Sequence, residues 1–184
     1  MEKAMSTRFK FLSPGAVGPV SGFRWPVPED GTPGAWIETR GPIHPCRSGA
    51  HVCRVNDLPY WMAEELWEAE TDGDHIEGID CQVFRRARLV REVAAWREGG
   101  ALRFAAACAA RAAREIASAP DPSDAARGFS GDAAECVRHG FVAASAFAAA
   151  IAVAKLHRST VETAAFRRER AWQAAELERL ILAS

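Results

Sequence analysis

Several features are scarce or missing in this chain of 184 residues. No apolar run approaches the ~18 residues of a membrane span, so no membrane association is expected. The opening stretch MEKAMSTRFKFL has no apolar signal core, and a cytoplasmic protein is the expectation. Neither sign of charge dominates. Twenty-three basic residues against 24 acidic ones leave -1, which argues against a general electrostatic grip on nucleic acid. Internal repeats and coiled-coil heptads are absent. The five cysteines, Cys46, Cys53, Cys81, Cys108 and Cys136, are an odd set without a secretion signal. They read as reduced thiols or metal ligands, not as a disulfide framework.

What is present falls into two compositions. Of 37 alanines, 9 lie in residues 1–95 and 28 in residues 96–184. Eight of the ten prolines lie between Pro14 and Pro59, and five of the six tryptophans precede residue 97. The first half, 1–96, therefore reads as a turn-rich aromatic subdomain. The second, 97–184, reads as helix, since alanine has the best helix propensity and lets helices approach closely. Strands are predicted at residues 8–12, 35–39, 50–55, 65–71 (closed by Asp72-Gly73) and 81–90. A short helix is expected around Tyr60 and Trp61. Helices are predicted over 101–118, 132–156 with a possible break at Gly140, and 160–182, where Ser159 and Glu162 have capping-box spacing. The inward face of the second is drawn through Val137, Phe141, Ala144, Ala148 and Ile151. Short strands with one face to bury and broad apolar helix faces predict an α+β fold: a small, mostly antiparallel sheet packed on three alanine-rich helices, as one cooperative unit.

The densest chemistry lies in Ile43-His-Pro-Cys-Arg-Ser-Gly-Ala-His-Val-Cys53. His44, Cys46, His51 and Cys53 are the residue types of a tetrahedral zinc site, although one-residue gaps do not wrap a metal as C-x2-4-C knuckles do. The same residues suit a nucleophilic site, with Cys53 or Cys46 activated by His51. As plain structure, the cysteines are small buried residues around a turn at Ser48-Gly49. Trp25, Trp36, Tyr60 and Trp61 could line a small-molecule pocket or form a core. An acidic run from Asp57 to Asp80 precedes Arg85, Arg86, Arg88 and Arg91. These charges either pair across strands or leave Arg86 and Arg88 as an anion site. Glu135 and His139 are four apart and read as a local pair. No helix partner of His157 suggests a di-iron site.

Cys46-Arg-Ser-Gly-Ala-His-Val-Cys53, followed by Leu66-Trp-Glu-Ala-Glu-Thr-Asp-Gly73, resembles a C-x2-G-x-H-x-C and L-W-E-x-E pattern of uncharacterised bacterial proteins. The resemblance spans roughly residues 8–95 and implies no particular activity. Its strand–helix–strand cadence is also similar to ADP-ribosyltransferase-like nucleotide-binding folds. That likeness would give Tyr60 and a late glutamate the binding roles. The functional expectation is a small-molecule-binding protein or enzyme with its pocket at the 44–53 loop. The alternatives are a protein-interaction module, homo-oligomeric through its alanine-rich helices with Ala148 at the contact, and a zinc-stabilised domain.

Overall fold

The computed structural model describes residues 7–156 and 159–183, the side chains of residues 159–162 excepted. His157 and the side chains of Ser159 and Glu162 lie outside the described residues. The fold is α+β, an antiparallel sheet of five strands plus four helices. The chain divides into two compact units, one ending at Arg97 and one spanning Glu98–Ala183. The turn at residues 119–124 lies inside the second unit.

In the first unit the strands are β1 (Arg8–Leu12), β2 (Ile37–Glu38), β3 (Ala50–Val52), β4 (Glu65–Glu77) and β5 (Gln82–Glu92). A 3-10 turn, Val55–Tyr60, takes the place of the expected short helix. β4 pairs with both β1 and β5, while β2 and β3 share the other edge of β5. Just past β3, the backbone of Cys53 exchanges hydrogen bonds of 2.9 and 2.8 Å with Phe9. The pairings β1–β4–β5–β3 therefore return to β1 and close a small circuit. A sheet curled this tightly needs irregularities, and β4 has two register shifts. One lies at Asp72-Gly73, where the sequence predicted the strand's end. Gly73 is left-handed there (φ +79) and donates its N–H to its neighbour's Asp72 Oδ1 at 2.8 Å. The result is a bulge, and β4 continues to Glu77.

Both faces of β1 bear on apolar groups. Phe11 meets Trp96 edge-on at 5.2 Å, and the Trp96 indole N–H donates to the Ala63 carbonyl. On the other face Leu12 joins a core of Trp25, Val52, Trp67, Phe84 and Leu89. The segregated charges resolve into cross-strand pairs: Glu68 with Arg91 at 2.5 Å, Glu70 with Arg88 at 2.6 Å and Asp72 with Arg86 at 2.9 Å. All three pairs sit directly opposite in the β4–β5 register. Side by side on one strand, Arg86 and Arg88 stack their guanidiniums on Trp36, at 4.9 and 4.6 Å.

The second unit contains α1 (Ala101–Ser118), α2 (Asp124–Arg138), α3 (Val142–Ala154) and α4 (Ser159–Leu182). The sequence expected three helices. It missed the first turns of α2, where Gly128 and Gly131 lower helix propensity. Ser123 overrides them, its side chain accepting the Ala126 N–H at 3.2 Å as an N-cap. Gly140, left-handed at φ +75, breaks the predicted long helix into α2 and α3. That break resets the helical phase. Phe141, Phe147 and Ala144 turn outward, whereas Ser145, Ala146, Ala149 and Ala152 are buried. Ala148 also lies inside the unit at 8 % exposure, so it does not form the surface contact expected of it. Cys108 is wholly buried on α1. On α4 the buried Glu169 and Gln173 find partners. Glu169 accepts from Arg111 at 2.9 and 3.1 Å, and Gln173 donates to the Ala146 carbonyl at 2.8 Å. His139 and Glu135 pair at 2.8 Å, as their spacing suggests.

Candidate functional site

The 43–49 turn is built on conformations that few residues tolerate. Cys46 is left-handed (φ +60), which costs a non-glycine residue roughly 1 kcal/mol. Gly49 (φ +113) has no room for a side chain, because a Cβ there would come within 2.4 Å of Val83 Cγ1. His51 on β3 ties the turn down. Its Nδ1 lies 3.1 Å from the Gly49 carbonyl, and a carbonyl only accepts, so Nδ1 carries the proton. The bare Nε2 then accepts the Cys46 backbone N–H at 2.8 Å. Both ring nitrogens are thus committed to backbone. Burial lowers the pKa of His51, with the nearby Lys10 ammonium acting the same way against the Gly49 hydrogen bond.

Beside this turn opens a cavity of about 450 Å³, within the usual range for small-molecule sites. His51, Cys46 and Cys53 line it, as do Trp25 and Trp61. Trp61 is held by its indole N–H, which donates to the Asp80 carbonyl at 2.6 Å. Cys81, Phe11, Phe23 and Ile37 contribute further apolar wall. One side is a tight loop of residues 17–24. Its base is positioned by Glu65, whose carboxylate accepts the Gly15 and Ala16 N–H groups at 2.7 and 3.0 Å and the Trp67 indole N–H at 3.1 Å. The loop's Val20 is 92 % exposed and its Phe23 48 %, so the rim of the cavity is apolar.

The other residues considered from the sequence stand elsewhere. His44 is exposed in the turn and does not line the cavity. Among the described residues no group of three or more His, Cys, Asp or Glu could hold a metal ion. The tetrahedral set His44, Cys46, His51 and Cys53 is therefore not assembled: both ring nitrogens of His51 are taken by backbone groups, and His44 lies outside the cavity that the other three line. Tyr60 sits exposed at the end of its 3-10 turn, outside the lining. Trp36, Arg86 and Arg88 are engaged with one another and with carboxylates, also outside it. The Cys53 thiol is pushed up to about 12 by burial, with Lys10 opposing. Burial likewise raises Cys81. Both are protonated at neutral pH and poor nucleophiles there.

Sequence reading missed Lys10. It lines the cavity, and its ammonium lies 5.5 Å from the centre of the Trp25 ring. Burial lowers its pKa, opposed by Cys53 and Cys81. In RFKFL a lysine between two phenylalanines looks like the solvent side of a half-buried strand. The available signal was its phase with Leu12, which shares its face of β1. No family model, no curated protein and no solved structure matches this chain.

Proposed function

We propose that the first unit is a receptor for a small, largely apolar molecule, held in the cavity bounded by the 17–24 loop, the 43–49 turn and Trp61. The observation that carries this reading is the cavity itself: about 450 Å³ of space beneath an exposed apolar rim, with polar groups at only a few points of its wall. A molecule entering it would remove apolar wall and its own hydrocarbon surface from water, which is favourable in proportion to the area covered. Binding, not thiol catalysis, is the chemistry the wall favours. His51 has no free nitrogen with which to take a proton from Cys46 or Cys53, and Cys53 is held as the thiol. His51 instead keeps the turn in shape.

The experiment is titration of the chain with N-phenyl-1-naphthylamine, a neutral apolar fluorophore. Saturable enhancement, with energy transfer from tryptophan, is the expected result. Thr39→Trp, which places a bulky side chain on the cavity wall, should abolish it while the circular dichroism spectrum is kept. Undiminished dye binding to Thr39→Trp would move the site elsewhere.

A further inference from the structure

The cations of the first unit are not treated alike. Arg54, Arg85, Arg86, Arg88, Arg91 and Arg97 each have a carboxylate within ion-pairing distance. For Lys10, among the described residues, no carboxylate is that close; its recorded contact is the face of Trp25. Arg47, exposed beside the cavity, and the exposed Arg24 and Arg40 have no carboxylate that close either among the described residues, so Lys10 differs from them in being partly buried. Glu38, the acidic residue of the lining, is 61 % exposed and lies 3.9 Å from Arg86. The other titratable groups around Lys10 are Cys53, Cys81 and His51, all neutral near pH 7. A partly buried cation without a counter-charge is costly, and an anion entering beside it would remove that cost.

We propose that the ligand of this cavity is an apolar monocarboxylate, whose carboxylate pairs with the Lys10 ammonium while its hydrocarbon body lies against Trp25 and Phe23. Arg47 beside the cavity adds attraction for the incoming anion without fixing it. This rests on the receptor reading above and adds the charge and polarity of the ligand. The cavity volume admits one or two fused rings or a chain of similar bulk, and its mainly apolar wall disfavours a polyanion.

Isothermal titration calorimetry on the full chain, with 2-naphthoate and its neutral counterpart 2-naphthalenemethanol, tests it. A charge-assisted hydrogen bond predicts that the carboxylate binds roughly tenfold or more tightly than the alcohol. Lys10→Met should erase that preference and leave alcohol binding within about twofold, whereas Lys10→Arg should retain it. Should Lys10→Met fail to fold, the Lys10→Arg protein and a falling preference between roughly 0.05 and 0.5 M salt carry the same test. Equal affinity for acid and alcohol overturns the Lys10 pairing and leaves the cavity standing. Binding of neither overturns both. If 2-naphthaldehyde with cyanoborohydride labels Lys10 while naphthoate shows no preference, the amine acts on carbonyls and the carboxylate proposal is wrong.

Discussion

Both units pair their buried acidic, amide and hydroxyl side chains, Asp57 and Gln82 in the first with Arg54, Arg8 and Glu77, and they differ in the treatment of one cation. In the alanine-rich helical unit, the buried Glu169, Gln173 and Ser145 all reach a partner, whether Arg111, the Ala146 carbonyl or the Ala133 carbonyl. In the sheet unit, Lys10 is brought to the edge of a cavity, with no carboxylate at ion-pairing distance among the described residues. Alanine explains part of the contrast, because its small side chain lets helix backbones come close enough for Gln173 to reach a main-chain carbonyl. Large aromatic residues on short, curled strands cannot interlock so tightly. The difference teaches where to look for function: a satisfied polar group argues for structure, and an unsatisfied one beside open space argues for a ligand.

The contrast can be broken by mutation, and the largest effect is expected at Gly49. Gly49→Val adds a side chain where φ is +113 and where even a Cβ meets Val83. It should cost about 3 kcal/mol or more in urea unfolding, without changing the helical signal per folded molecule. Glu169→Ala is the counterpart in the helical unit. It removes the buried partner of Arg111 and should cost about 2–4 kcal/mol, with no effect on cavity binding. His51→Ala loses two backbone contacts and should cost about 1–3 kcal/mol. It should also weaken cavity ligands, because the Cys46 turn is released. Since the folded pKa of His51 is lowered, the unfolded chain binds more protons below the ordinary value near 6.5. Stability should therefore fall as pH drops below about 6.5, and His51→Ala should flatten that slope. At the other end of the scale, Arg88→Ala breaks a mostly buried ion pair and its stacking on Trp36 and should cost about 1 kcal/mol.

Alkali sharpens the comparison from another side. Cys53 in one unit and Cys108 in the other are both pushed up to about 12 by burial. Unfolded thiols lose their protons near 8.5, so the folded chain binds more protons between about 9 and 12 and should lose stability there. Lys10 has the opposite sign. Its folded pKa is lowered, so its burial cost fades as pH rises towards its unfolded value near 10.4. Cys53→Ala and Cys108→Ala should each make the alkaline loss shallower in thermal melts between pH 8 and 10. Lys10→Met should make it steeper.

Much of this fold was legible because it depends on local rules. The alternation in RFKFL, the alanine periodicity over residues 101–118 and the break at Gly140 each follow from one segment's own preferences. The errors came where a distant partner or a cap decided the outcome. β4 continues past Asp72-Gly73 because β5 lies alongside to pair with it, and α2 begins early because of the Ser123 cap. Phe141 and Ala144 were placed inward because the helical phase was carried across Gly140. The cysteine–histidine turn was recognisable as unusual, but the bonds of the His51 ring to the Gly49 carbonyl and the Cys46 N–H were not, since only the folded turn brings these groups within reach. Lys10 was invisible because alternation marks the face of a strand, not the cavity that several loops build over it.

Amide and indole chemical shifts of the uniformly ¹⁵N-labelled chain, followed while 2-naphthoate is added, test the central claim most directly. The account predicts saturating shifts confined to the first unit, at the amides of Lys10, Cys46, His51 and Cys53 and at the indole N–H groups of Trp25 and Trp61, with Glu98–Ala183 unmoved. Shifts centred on α1 to α4, or none at the cavity at saturating ligand, would contradict it.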